Sequence, residues 1–301
     1  MIETVLGSIQ ASELGTTMCH EHLAIDLSGV RGETDSTFVD TTLITQEIKK
    51  MCVLGAQAVI EVTGNDMGRD VIALRQYAKE TGLHIVASTG FYLEPYHSDW
   101  LHRASVDEIC DLFVAELTQG IAQTGIRAGL IAEIATSTNR TAKTEEKVFL
   151  AAAQASVQTN CAISTHCDMG THAKDQLKML LDNGVSPDKL ILGHVDLVDD
   201  ANYHLELLAQ GVNLGFDTVG KTKYLSDQKR AENLMALLYK GYEDHILLSQ
   251  DVSRLSYLTA NGGAGYTAVL GYFIQLLKAC GATKEQVEKL LVRNPARILD
   301  R

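Results

Sequence analysis

Short runs of β-branched and apolar residues recur along this chain. Each is followed by a longer stretch in which apolar positions return every three or four residues. The first pattern reads as a buried strand and the second as an amphipathic helix. Strands are predicted at Thr17–His22, Ala58–Val62, His84–Thr89, Gly129–Ile134, Cys161–His166, Leu190–His194, Val212–Phe216 and Ile246–Asp251. Helices are predicted at Val71–Thr81, Val106–Gln123, Glu145–Thr159, Ala173–Asn183, Ala201–Gln210 and Lys229–Tyr239. Gly82, Gly184 and Gly211 stand where three of these helices should stop, as residues of positive φ. Strands that alternate with helices imply a parallel sheet. The expected fold is that sheet closed on itself, a single (β/α)8 TIM barrel over residues 1–301. An open nucleotide-binding sheet would want a GxGxxG or Walker loop after a strand, and none is present.

In such a barrel the reactive side chains emerge from the C-terminal ends of the strands. Here those ends carry His20-Glu21-His22 on strand one, Glu133 on strand four, His166 on strand five, His194 on strand six and Asp251 on strand eight. His20 and His22 are two apart, so both face one side of their strand and can share a metal, while Glu21 turns toward the helices. Any one of these residues alone reads as a structural histidine, a salt-bridge partner or a helix cap. All six at the strand ends of one sheet read as a metal site. The other six histidines serve as controls. His84 and His245 begin strands, His172 and His204 fall on helices, and His97 and His102 lie in the segment after strand three. Imidazole and carboxylate donors without thiolate suit two divalent cations, Zn²⁺ first, with Mn²⁺ or Co²⁺ as alternatives.

Composition narrows the class further. Of 301 residues, 46% are hydrophobic and 21% charged, enough to bury a large core, and three prolines mark no linker. A net charge of −12 leaves no basic face for nucleic acid or a membrane surface, although a local basic pocket for a small anionic substrate remains open. The N-terminus lacks a basic segment followed by an apolar one, and no apolar run approaches the ~18 residues that span a bilayer. Six scattered cysteines with no CxxC pair read as reduced thiols, so the expected location is cytoplasmic.

Several segments carry a resemblance: Thr17-Met18-Cys19-His20-Glu21-His22-Leu23, Ile131-Ala132-Glu133-Ile134, Ser164-Thr165-His166 and Gly193-His194-Val195-Asp196. Gly215-Phe216-Asp217-Thr218-Val219-Gly220-Lys221, Leu248-Ser249-Gln250-Asp251, Asn261 to Tyr266 and Asn294-Pro295-Ala296-Arg297 extend it over almost the whole chain. The chain resembles the phosphotriesterase family of the amidohydrolase superfamily, and within it the phosphotriesterase homology branch. The resemblance implies that His20, His22 and Asp251 hold a buried metal, that His166 and His194 hold a more exposed one, and that Glu133 bridges the two. Many members of the family carry a carboxylated lysine at the bridge, so Glu133 is a departure that alters the length and basicity of the bridge. The implied activity is hydrolysis by a metal-bridging hydroxide, with Asp251 as the proton acceptor. A homodimer is implied by the family alone.

Asp196 and Asp199, just after His194, are candidates for hydrogen bonds behind the metal ligands, or else are acidic residues opening the next helix. Lys221, Lys223, Arg254 and Tyr257 lie on the loops after strands seven and eight, where barrels often bind phosphate. The competing reading makes the cations solvated loop charges. Tyr92, after strand three, would line the pocket or donate to a substrate oxygen. Lactonases of this family that act on phosphorylated sugars show a similar Arg and Tyr spacing, so the expected substrate is a small ester or lactone bearing a phosphate. The alternatives are a phosphotriester or phosphodiester, and a non-catalytic metal- or ligand-binding barrel.

Overall fold

Parallel strands cannot be joined by tight turns, so each must be followed by a crossover long enough to return the chain to the same end of the sheet. The computed structural model describes all 301 residues and shows that economy throughout. A short antiparallel hairpin, β1 (Ile2–Thr4) and β2 (Gly7–Ile9), comes first. It is followed by β3 (Thr17–Glu21), β4 (Ala58–Glu61), β5 (His84–Val86), β6 (Ser88–Thr89), β7 (Leu130–Thr136), β8 (Ile163–Cys167), β9 (Leu190–Gly193), β10 (Asn213–Phe216) and β11 (Ile246–Leu248). Strands β3 to β5 pair in sequence order, as do β6 to β11, and every pairing is parallel. β5 and β6 are two halves of one stave, parted at Ala87, with β5 paired to β4 and β6 to β7. The nine segments therefore make the eight staves expected, and the fold is a (β/α)8 barrel.

The remaining seam lies between β11 and β3, and polar side chains close it. His20 N donates to Ser249 Oγ at 2.9 Å and Asp251 N donates to His20 O at 3.2 Å. Glu21 does turn away from the barrel mouth, but into this seam rather than toward solvent. Its fully buried carboxylate accepts from Ser249 Oγ (2.5 Å), Gln250 N and Nε2 (both 2.9 Å), Val252 N (3.0 Å) and Asp251 N (3.3 Å). One carboxylate thus accepts from three successive backbone N–H groups, two of which, on Gln250 and Val252, no strand partner reaches.

The helices form where the apolar period predicts, with caps that explain their ends. The Val71–Thr81 helix starts with Asp70 accepting from Ile72 N and Ala73 N, and stops at Gly82 with φ 74°. The next helix, Val106–Thr118, ends earlier than predicted. Gly120 adopts φ 131°, and Ile121 N turns to Ile126 O at 2.7 Å, so the chain is already looping back. Beyond the predicted set lie the short helices Ser28–Arg31 and Asp99–Arg103 and two longer helical regions. Thr41–Val53 buries Ile44, Ile48 and Met51, but Thr41, Thr42 and Thr45 among them weaken the helical signal. A run of π and α turns from Val269 to Leu299 crosses the lower end of the barrel. There Asn294 Nδ2 donates to Glu243 O and Ile246 O at 2.8 Å, and Lys189 Nζ donates to Ile298 O at 3.0 Å. No helix is long and apolar enough to cross a membrane.

The seam makes a stability prediction. Replacing Glu21 with Ala leaves its buried donors unpaired and should cost about 3–5 kcal/mol, measured by chemical denaturation. The isosteric Glu21→Gln variant should lose less, because its remaining carbonyl still accepts. Loss of less than about 1 kcal/mol in Glu21→Ala would show that the seam is held by other contacts.

Candidate metal centre

Alternation along β3 points His20 and His22 into the barrel mouth, as their spacing predicts, with their rings 5.9 Å apart and edge-on. Glu133, from β7, stands at the centre of the histidines. Its Oε1 lies 2.5 Å from His166 Nδ1, 3.2 Å from His194 Nε2 and 3.2 Å from His20 Nε2, and its Oε2 lies 3.8 Å from His22 Nε2. Asp251 Oδ1 is 3.3 Å from His22 Nε2 and Oδ2 is 3.9 Å from His194 Nε2. All six residues are buried. His194 and Asp251 take left-handed backbone angles, φ 60° and 49°. Non-glycine residues rarely do so, and such conformations cluster at functional sites.

The donors fit a metal. The atoms of His20, His22 and Asp251 lie within 4.8 Å of one another, as do those of His20, Glu133 and His194, so each trio could hold one cation. His166 stands outside both trios but shares Glu133. Neither ring nitrogen of His20 makes a hydrogen bond although both are buried, which is uncommon unless the group has another partner. Burial opposes charge on His194, but Asp217 and Glu133 outweigh it and raise its pKa well above the usual histidine value. Burial likewise opposes ionisation of Glu133, yet His166 and His20 hold its carboxyl far below the ordinary range. A cluster of imidazole nitrogens and carboxylate oxygens that attracts positive charge in this way suits a divalent cation.

Behind the six stands a second set of groups that aims them. Asp217, just past β10, accepts from His194 N at 3.0 Å and lies 2.8 Å from His194 Nδ1; its other oxygen is 3.4 Å from His20 Nδ1. Glycine makes this approach possible. A Cβ on Gly215 would fall 2.3 Å from Asp217 Oδ2, and one on Gly193 would fall 2.3 Å from Thr165 O. The sequence motif already contained Asp217, but acidic residues nearer His194 in the chain drew the prediction. Those residues do other work. Asp196 is buried against Arg230 Nε (2.6 Å) and Thr218 Oγ1 (2.7 Å), and Asp199 accepts from Asn233 Nδ2 (3.0 Å) at the surface. His22 is aimed by Thr63, whose Oγ1 is 2.9 Å from Nδ1 and donates to Glu61 at 2.5 Å. Partners of this kind fix the ring orientation and tautomer of metal-binding histidines. Among the histidines set aside as controls, His97 Nε2 bonds Tyr92 O and His204 Nε2 bonds Val195 O, both structural roles.

A cleft of about 140 Å³ opens over His166, His194 and Asp251. Lys221 lines it and forms an ion pair with Asp251, with its ammonium 5.2 Å from the Tyr257 ring centre. Arg254 and Tyr257 line it too. Lys223 does not: its ammonium lies over the Tyr224 ring at 5.1 Å, outside the cleft wall. Tyr92 sits against His166, with its hydroxyl 3.3 Å from Nε2. Arg31, from the loop after β3, also lines the cleft and was not among the predicted residues.

Residues 1–299 match the model of the phosphotriesterase family. The phosphotriesterase homology protein of Escherichia coli K12 is 39% identical over 282 residues, 94% of this chain and 97% of that protein. Its crystal structure, with phosphate in the active site, superposes with a TM-score of 0.93 over 96% of this chain and 99% of its own, at 38% identity. A phospho-furanose lactonase of Mycoplasmopsis synoviae is 31% identical over 98% of this chain and 90% of its own length. A lactonase of Listeria monocytogenes superposes with a TM-score of 0.94 at 27% identity, covering 99% of this chain and 98% of that one. The fold, the donor set at the barrel mouth and these likenesses agree: the chain belongs to the phosphotriesterase family and is a metal-dependent hydrolase.

Proposed function

We propose that the protein hydrolyses a small ester or lactone that carries a phosphate, using two divalent cations, Zn²⁺ by preference, in one barrel spanning the chain. His20, His22 and Asp251 would hold one ion and His166 and His194 the other, with Glu133 shared. The observation that carries this reading is Glu133 set among four imidazoles, beside a cleft whose wall presents Lys221 and Arg254. It is supported by the lactonase relatives, one named for a phosphorylated furanose, and by the phosphate in the active site of the E. coli relative. The cations supply Lewis acidity, which lowers the pKa of a water toward neutrality and polarises the substrate carbonyl.

The protein's own residues do the rest. Asp251 accepts the proton of the attacking water and returns it to the leaving alkoxide. Burial opposes its ionisation, but the Lys221 ammonium holds its carboxyl far below the ordinary range, so it stands ionised with an oxygen free to receive a proton. Arg254 and Tyr257 bind the phosphate by charge-assisted hydrogen bonds, while Lys221 stays with Asp251. Tyr92 holds the His166 ring in place from its Nε2 side and forms wall. Asp217 keeps His194 turned to the centre. The six unpaired cysteines suit a reducing, cytoplasmic setting.

Three measurements test this. Protein reconstituted with Zn²⁺ should bind two ions by elemental analysis, and Glu133→Ala should bind at most one and lose at least ~10³-fold in kcat/KM. Asp217→Asn should weaken metal binding by about 10–100-fold in chelator competition while leaving the fold intact by circular dichroism. Among paired substrates followed by proton release, a sugar lactone with a 5-phosphate should be preferred over its unphosphorylated form. Arg254→Ala should raise KM about three- to tenfold for the first and leave the second unchanged. Turnover of an aryl phosphotriester alone would keep the metal chemistry and discard the lactone.

A further inference from the structure

Arg31 ends the short helix Ser28–Arg31 on the loop after β3 and lines the cleft together with Arg254. Its hydrogen bonds go to neutral groups: Nε donates to Tyr96 Oη at 3.1 Å and Nη1 to Ser36 Oγ at 2.6 Å. Nη2 makes none, and no carboxylate pairs with the guanidinium. Arg254 differs. Its Nη1 lies 3.4 Å from both Glu33 Oε1 and Asp35 Oδ2, so its charge is already met from two sides.

The surroundings fix where Arg31 points. Tyr96, which holds Nε, packs its ring 5.2 Å from that of Tyr92, and the Tyr92 hydroxyl lies 3.3 Å from His166 Nε2. Arg31 is therefore two aromatic rings from a candidate metal ligand. Ser36, which holds Nη1, donates onward to Glu33 Oε1 at 3.2 Å, the same oxygen that faces Arg254. The two arginines are joined by a chain of side chains, yet only Arg254 has carboxylates in direct contact, whereas Glu33 reaches Arg31 through Ser36. A partly buried guanidinium with Nη2 unused and no carboxylate in direct contact has room for an anion, which it binds as a fork. This stands out in a chain of net charge −12, where carboxylates are abundant.

We infer that Arg31 is a specificity-determining residue: its free Nη2 edge receives the anionic group of the substrate alongside Arg254, and it supplies most of the charge that selects an anionic substrate over a neutral one. The inference rests on the phosphate-bearing substrate proposed above and adds the residue that reads it.

The test uses the Zn²⁺-loaded wild type, Arg31→Met, Arg31→Lys and Arg254→Met. Ribose 5-phosphate is titrated calorimetrically, and the lactone with and without a 5-phosphate is assayed. Arg31→Met should raise the Kd for ribose 5-phosphate and the KM for the phosphorylated lactone about 10–100-fold, more than Arg254→Met does. Its kcat, its KM for the unphosphorylated lactone and its bound zinc should change less than about threefold, so that the loss is confined to the anionic ligands. Arg31→Lys should restore part of the affinity. An equal rise in KM for both lactones would reduce Arg31 to a staple for Tyr96 and Ser36 and overturn the inference. So would unchanged binding in Arg31→Met when the wild type binds ribose 5-phosphate. If the wild type neither binds ribose 5-phosphate nor distinguishes the two lactones, the anionic-substrate reading itself falls, and this inference with it.

Discussion

Glu133 is a carboxylate removed from water at the mouth of the barrel, and an isolated charge in that position would not be tolerated. Its surroundings follow from that constraint. Four imidazoles from two strands, β3 and β8, and the turn after β9 converge on it, because each offers a nitrogen that can share a proton with it or, with the proton displaced, a metal. The strands that carry them must therefore stop at the same height and tilt toward one axis, which an eight-stave closed sheet provides. The mouth is polar and demanding. The staves beneath it contribute to a continuous apolar core.

Two more buried carboxylates make this arrangement rigid. Glu21 stitches β3 to the segment after β11, and in doing so sets the backbone of Asp251 in its left-handed turn. Asp217 holds both the backbone and the ring of His194. Neither residue belongs to the converging six, yet each determines where one of them points. His194 and Asp251 are thus held by hydrogen bonds from their own backbone N–H groups, and the backbone moves far less than a pair of side chains would. Precise placement of this kind is what metal-assisted hydrolysis requires.

The cleft divides its charge in a comparable way. Lys221 is committed to Asp251, Arg254 to Glu33 and Asp35, and Arg31 to neutral oxygens alone. Three cations of similar appearance in the sequence have different charge left to offer an incoming anion, and that difference arises from neighbours far away in the chain.

Much of this protein could be read from its sequence, because two of its regularities are local. Alternation of period two placed His20 and His22 on one face, and short β-branched apolar runs placed all eight staves within a few residues of their observed limits. The ends of those staves then singled out Glu133, His166, His194 and Asp251, since in a parallel barrel the end of a strand is also a place in space. Local pattern failed where a residue's role depends on packing. The Thr41–Val53 helix is held by its buried face despite its threonines, and Gly120 unwinds a helix whose apolar period runs on. Asp196 and Asp199 are nearer to His194 in sequence, but Asp217 reaches it from the next strand through space left by Gly193 and Gly215. Lys223 turns outward and Arg31 inward for reasons that lie in Tyr224, Tyr96 and Ser36. The sequence by itself determined the fold and the donors, because periodicity and strand ends are properties of short segments. Only the tertiary structure decided which acids support those donors and which cations line the cleft, because a hydrogen bond is set by distance in space and not by distance along the chain.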